Sequence, residues 1–395
     1  MSMKKIFTLL FFSVLSFSVL FSQETDSITA SYYKPTIQLD YLYGKIDNPI
    51  EIPQQTNSHY GKLSFLNKTG VQKQSFFSQY GSPEVGVSVI IGYLGNKEVL
   101  GSLFAFLPQW TYHVYAKKPV SFDVNIASGF AYISKPYHKI SNPLNHTLGG
   151  HAASITDVSS NVVFMLHQAM FLRAGVGMLL VTNGQSALPN HGIHDFTVRL
   201  GMIYKPGDLV GVKMPKRTVF ANDSVWRKNI RLSYARHELG YTKQYPVDGP
   251  SYSIFSAAAY LSKQLSRINE VKFGIDYTYY NSYNTLIRFD KMYSHFKFFR
   301  ASVISLQAGH EFLMHHFGLV TELGVKIHDP LYRNFFLQND TSRGVWFKRF
   351  VTSRIGVEFY PYNSAFSGNK LSVGAYLKTN ALQPDFIEYN MTYTF

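Results

Sequence analysis

Apolar and polar residues alternate along most of this chain, in runs too long for an ordinary globular sheet. In "HDFTVRLGMIY", Phe196, Val198, Leu200, Met202 and Tyr204 are apolar, whereas Asp195, Thr197, Arg199 and Gly201 are not. "EVKFGIDYTYY" sets Val271, Phe273, Ile275, Tyr277 and Tyr279 against Lys272, Gly274, Asp276 and Thr278. "TSRIGVEFY" does the same with Ile355, Val357 and Phe359 against Arg354, Gly356 and Glu358. A period of two puts successive side chains on opposite faces of a strand, so one face of each run is apolar and the other polar. Such runs recur from 36–46 to 385–395. Many exceed the roughly five or six residues of a typical strand and match the roughly 9–11 that a tilted strand needs to cross hydrocarbon. The expected fold is therefore all-β: a transmembrane antiparallel up-and-down β-barrel of about 12–16 strands, with about fourteen the central value. Residues 23–395 are read as a single barrel domain.

Two alternatives fit the pattern less well. A soluble β-sandwich would alternate in the same way but with shorter strands and fewer outward rings. A helix over 162–181 is long enough to span a bilayer, but it would carry His167, Gln168 and Arg173 into it, and an arginine costs roughly 2.5–3.5 kcal/mol at that depth. A hairpin turning at His167-Gln168 avoids the cost and turns Arg173 inward. The inward Arg173, Arg199, Arg231, Lys272, Arg354 and Glu358 are then read as a paired charge network filling the lumen, because buried charges need partners.

The chain opens "MSMKKIFTLLFFSVLSFSVLFSQETDS". Lys4 and Lys5, an apolar stretch and then acids describe a secretory signal peptide over 1–22. There is no cysteine, which removes a disulfide framework, a lipid-anchored N-terminal cysteine, a thiol nucleophile and cysteine-type zinc sites from consideration. The net charge of +14 suits a phosphate-bearing lipid surface; export argues against nucleic acid as the partner. The 28 Tyr and 32 Phe need an apolar environment beyond a compact core. The final run, "FIEYNMTYTF", aligns Ile387, Tyr389, Met391, Tyr393 and Phe395 on one face. It is similar to the terminal strand that the barrel-assembly machinery reads in outer-membrane barrels. The longest loops are placed at 47–82, 206–228, 283–296 and 329–347.

One stretch reads as a site: "LLVTNGQSALPNHGIH", residues 179–194. With "FAYISKPYHKISNPLNHTLGGH" at 130–151 and the "DFIEYNMTYTF" end, over roughly 80–395, the chain resembles the lipid A deacylase family, the PagL-type barrels also called acyloxyacyl hydrolases. The resemblance implies an outer-membrane carboxylic ester hydrolase acting on lipid A (lipopolysaccharide); no cofactor-binding residue and no metal ligand is assigned in the sequence. Its motif, His-x-Ser-Asn followed about a dozen residues later by an acid or amide, sets base and nucleophile on one strand face. The Asn is a candidate oxyanion donor. Aligned on Asn183-Gly184, Thr182 stands at the serine position, Leu180 at the histidine position and His194 at the orienting position, while Pro189, Asn190 and Gly192 keep the downstream turn. The candidate catalytic residues are therefore Thr182, Asn183 and His194.

Parity places Thr182 and His194 on the lipid-facing side of adjacent strands, with Asp195 turned the other way. Two readings follow. Either His194 replaces the missing base and activates Thr182, or the site is degenerate and these residues line the interface. His310, His315 and His316 are read as a hairpin end, and His138, His146 and His151 as structural, with His151 on the same rim as Thr182. The functional alternatives are a deacylase-like esterase, a non-catalytic lipid A-binding or structural barrel, and a small-solute channel. The oligomeric state is left open.

Overall fold

A computed structural model describes residues 35–47, 52, 54–68, 83–117, 119–206, 225–238, 250–266, 269–314, 317–332, 343–361, 369–380 and 383–395. The signal peptide, most of the 206–228 loop, and His315 and His316 lie outside the described residues. The first eight strands are β1 (Thr36–Asp47), β2 (Ser58–Lys68), β3 (Glu84–Tyr93), β4 (Ser102–Lys117), β5 (Val120–Ile133), β6 (Ala152–His167), β7 (Met170–Thr182) and β8 (Ile193–Tyr204). Each pairs antiparallel with the next, and β8 returns to β1, closing a barrel.

The second eight are β9 (Trp226–Glu238), β10 (Ser251–Ser266), β11 (Asn269–Tyr280), β12 (Ser302–Met314), β13 (Phe317–His328), β14 (Val351–Phe359), β15 (Lys370–Asn380) and β16 (Gln383–Thr394). They form a second closed barrel, sealed by β16 against β9. Helices also stand between strands of this second barrel; those with both ends among the described residues are α1 (Asn281–Phe289), α2 (Lys297–Arg300) and α3 (Arg343–Phe350).

The all-β, up-and-down architecture matches the alternation and the strand number falls within the expected 12–16, but closure differs from the single barrel expected. Sixteen described strands close as two barrels of eight. Alternation is the same whichever way a meander closes, so it carries no information on where the sheet seals. One strand the alternation did not suggest is β2, within the stretch read as the 47–82 loop. There "SHYGKLSFLNK" alternates, but small and polar residues dilute its apolar face.

What does specify narrow closure is the interior. An eight-stranded barrel has a lumen just wide enough for side chains to meet, and here they do. Lys62 on β2 reaches Asp157 on the opposite strand β6 at 2.7 Å, and Arg199 joins the same carboxylate at 2.9 Å. Arg173 pairs with Asp40 at 3.0 Å. In the second barrel Arg231 on β9 crosses to Glu322 on β13 at 2.6 Å, and Arg354 bridges Asp276 and Glu388, both at 2.8 Å. Lys272 pairs with Glu311 at 2.7 Å, and Glu358 accepts from Ser372 and Tyr376. All six inward residues read from the sequence thus belong to a buried network, which fills the cross-section that a solute channel would need open.

The outer walls are the reverse. Leu39, Phe65, Phe196, Leu200, Leu232, Phe273, Leu323 and Met391 all face outward and exposed. A polar interior within an apolar exterior is the pattern of an outer-membrane-type barrel, whose lipid contact replaces a soluble core. The 162–181 stretch is a hairpin, with β6 ending at His167 and β7 starting at Met170. Among the described residues no helix is long and apolar enough to cross a membrane.

The barrels touch along their walls and at one pair of mouths. Trp110 on β4 meets Phe317 on β13 edge-on at 6.5 Å. At the mouths, Glu238, the last residue of β9, donates its N–H to Gln185 O at 2.9 Å and accepts from Leu188 N–H at 2.8 Å. The 183–192 connection of the first barrel is therefore seated against the second.

Candidate functional site

Strand β7 delivers Thr182 to the mouth of the first barrel, and the turn beyond it has little freedom. Gly184 and Gln185 both adopt positive φ, 58° and 56°. A Cβ on Gly184 would stand 2.3 Å from Cγ1 of Ile387 on β16. The glycine is required twice over, by the left-handed turn and by the approach of the second barrel.

Asn190 closes this loop. Its side-chain amide brackets the Thr182 hydroxyl, with Nδ2 donating at 3.0 Å and Oδ1 accepting at 3.1 Å. The same Oδ1 accepts the Asn183 N–H at 3.1 Å, and the Gly184 N–H donates to Thr182 Oγ1 at 3.1 Å. Asn183 turns away and donates to Ala187 O at 2.7 Å. Asn142 and Asn145 hold the neighbouring 134–151 loop through carbonyls of Val99 and Lys135.

His194 does not join this cluster. Cross-strand register sets it opposite Leu180 rather than Thr182, and its exposed ring lies on the lipid side with Phe196 and Val198. The parity reading of these faces is met, and Asp195 points inward to accept from Ser58 and Tyr60. Thr182, Asn183 and His194 thus share one corner of the rim, yet the hydroxyl is held by an amide and the imidazole bonds to neither partner. A hydroxyl flanked by Asn190 and an apolar Leu180 has no proton acceptor of useful basicity beside it.

Three of the histidines read as structural are held by local bonds. His151 Nδ1 meets Ile133 O at 2.7 Å, and its ring stacks on Tyr132. His138 accepts from the Ile140 and Ser141 N–H groups, and His310 bonds Asn269 at 2.9 Å. Among the described residues no group of three histidines or acids gathers as a metal site.

The sequence reading missed a recurrence. "LKTN" at 377–380, followed by Pro384-Asp385, repeats "LVTN" at 180–183 followed by Pro189-Asn190. The two copies occupy the same place, between the seventh and eighth strands of each barrel. Comparing the two halves of the chain would have exposed it. The local bonding differs: Thr379 Oγ1 meets Ser353 Oγ at 2.6 Å, while Asp385 accepts from the Tyr280 hydroxyl at 2.7 Å. Around that second mouth, burial pushes the Tyr283 phenol well above its usual value and, against the pull of Lys326, raises the Asp329 carboxyl.

Comparison with known proteins bears on the second barrel above all. Residues 226–395 match the family described as acyloxyacyl hydrolase, C-terminal domain. That span is the whole second barrel, and the 179–194 motif lies outside it. Among solved structures, the outer membrane enzyme PagL is similar at 15% identity over 42% of this chain and 97% of its own, with a TM-score of 0.31. Neisserial surface protein A is similar at 12% identity over 43% and 96%, with a TM-score of 0.29. CdiB from Acinetobacter baumannii is similar at 8% identity over 92% and 60%, with a TM-score of 0.18. No curated protein matches the chain.

Proposed function

We propose that this chain, whose second barrel belongs to the acyloxyacyl hydrolase C-terminal domain family, hydrolyses an ester-linked acyl chain of lipid A in the outer membrane. The observation that carries the reading is the family domain itself, built as an apolar-walled barrel whose mouth is fused to a second lipid-facing rim. An enzyme acting on a membrane lipid needs its site where the acyl chains enter, at the junction of wall and mouth. Excess positive charge in the chain favours a phosphorylated headgroup there.

In this reading the first rim contacts the substrate. Leu180 and His194 present an apolar and a polar surface to the lipid, and Thr182, Asn183 and Asn190 fix the loop that carries them. Direct catalysis by Thr182 would require Asn190 to release its hydroxyl and His194 to swing towards it. Filled lumens weigh against the channel alternative.

Mass spectrometry of lipid A from cells with and without the protein tests the proposal. The expected result is a mass loss equal to one hydroxy-acyl chain when the protein is present. Unchanged lipid A, with the barrels folded in the outer membrane, would sink it. A Thr182→Ala arm separates the two roles of the first rim: retained trimming assigns it to binding, and lost trimming to chemistry.

A further inference from the structure

Most buried ionisable groups in the two barrels are cation–carboxylate pairs inside the lumens. At the mouth of the second barrel one buried set has another composition. Ser282 is the second residue of α1, immediately after β11, and is 1% exposed. Its Oγ lies 2.8 Å from Nε2 of His237, the penultimate residue of β9, which is 3% exposed. On the far side of the ring, Nδ1 is 3.8 Å from Oδ1 of Asp385 on β16, which is 7% exposed. Tyr280 holds the other carboxylate oxygen at 2.7 Å. The negative carboxylate on the Nδ1 side of the ring favours the tautomer protonated at Nδ1, in which Nε2 accepts from the Ser282 hydroxyl.

The structure assigns a hydrolytic Ser282–His237–Asp385 triad to the mouth of the second barrel, with the ester of an acylated, anionic lipid as its substrate. The inference rests on the lipid-directed reading above and gives it a catalytic centre apart from the 180–194 rim. Nucleophile, base and orienting carboxylate stand in the order the chemistry needs, supplied by three different strand ends. Ser282 occupies a strand-to-helix turn, which lifts a hydroxyl out of the sheet and sets it beside the first-turn N–H groups of the helix. Those groups have no intrahelical acceptor, and α1 has no side-chain cap. They are positioned to donate to a developing oxyanion.

The cap around the triad fits a lipid. Phe289 is 84% and Phe296 80% exposed, with the exposed cations Arg288 and Lys291 beside them. Rings and cations together suit the headgroup boundary of an anionic leaflet. Tyr293, between α1 and α2, donates its hydroxyl to Pro330 O at 3.3 Å and carries the Arg300 guanidinium over its ring. The 290–296 connection takes part in no strand pairing, and the depth of Ser282 requires a rearrangement there before a substrate enters.

In the reaction, Ser282 Oγ attacks the ester carbonyl carbon as its proton passes to His237 Nε2. The ester C–O bond then breaks, and His237 returns that proton to the departing alcohol, leaving acyl-Ser282. Water attacks the acyl carbon, gives a proton to His237, and releases the fatty acid as Ser282 Oγ recovers its proton. Asp385 is a positioning residue: Asp385→Asn is expected to lower kcat by about 10³–10⁴-fold with KM little changed.

The test treats the folded full-length protein, in detergent micelles, with an alkyl fluorophosphonate and maps the adduct by peptide mass spectrometry. Ser282 is expected to carry the label. His237→Gln, which keeps a polar group against Ser282, is expected to lose it while its heat-modifiable gel mobility stays that of the native barrels. A folded wild-type protein unlabelled at Ser282 would overturn the triad, as would undiminished labelling in His237→Gln. Lipid A analysis separates this failure from failure of the functional reading. Labelled Ser282 with untouched lipid A keeps the triad and rejects lipid A as substrate. Trimming that survives Ser282→Ala but not Thr182→Ala keeps the substrate and rejects the triad.

Discussion

The two barrel mouths each hold a buried or half-buried hydroxyl, and they differ in what stands next to it. In the first, Thr182 is bracketed by the Asn190 amide, with Leu180 where the family motif has its histidine. In the second, Ser282 faces an imidazole backed by a carboxylate. An amide cannot take a proton at neutral pH, whereas a neutral imidazole can. The first mouth keeps the letters of a motif and the second keeps the arrangement of groups that catalysis needs. The motif and the competent geometry stand on different halves of one chain, and the family match falls on the half that carries the geometry.

The largest effect that this contrast predicts is an asymmetry between two conservative deletions. Ser282→Ala should lower ester turnover by at least about 10³-fold, the scale on which single triad members act. Thr182→Ala should leave turnover within about twofold, because its hydroxyl shapes a loop and meets no base. Initial rates on a micellar acyl ester, compared between the two variants, check this. Equal losses would erase the distinction between the mouths.

A smaller effect is expected from rebuilding the first mouth. Leu180→His with Thr182→Ser, in a Ser282→Ala background, restores the base and the better nucleophile. A general base contributes about 10²–10⁴-fold when well placed, but Asn190 still competes for the hydroxyl, so a gain near the lower end is expected. Mass spectrometry of lipid A reads it. A gain near the upper end would show that Asn190 yields easily and that only Leu180 had silenced the site.

How much of this was legible in the sequence varies with the range of the interaction. Alternation in "HDFTVRLGMIY" fixed which residues face lipid, and the inward turn of Arg173, Arg199, Arg231 and Arg354 follows from the same parity. Closure was not legible. Lys62 finds Asp157 and Arg231 finds Glu322 across each lumen, separated by 95 and 91 residues, and no local pattern encodes such distances. The "LVTN" rim was visible as a motif, but the grip of Asn190 on Thr182 was not. His237 on β9 and Ser282 at the start of α1, just after β11, are 45 residues apart, and β9 and β11 meet only through β10, so single-strand reading passed over them. The "LKTN" repeat was in plain view, and only the assumption of one barrel hid it.

The contrast also predicts where structure, rather than chemistry, will suffer. Asn190→Ala removes both amide contacts to Thr182 and the acceptor for the Asn183 N–H. Leaving such groups unpaired costs about 1–3 kcal/mol, so urea unfolding of the first barrel should shift by that amount while ester turnover holds. Loss of turnover with unchanged stability would move Asn190 from the scaffold into the chemistry.

The smallest expected effect is the most discriminating. Tyr280→Phe deletes one hydroxyl, and with it the 2.7 Å bond to Asp385 Oδ2. The loss in stability should be about 0.5–1.5 kcal/mol, the net worth of one hydrogen bond. If Asp385 orients His237, its freed carboxylate will rotate, and kcat should fall several-fold more than the stability change accounts for, with KM steady. A variant that loses stability yet keeps wild-type kcat would make Tyr280 and Asp385 a strut across the barrel mouth, leaving the Ser282–His237 pair to act alone.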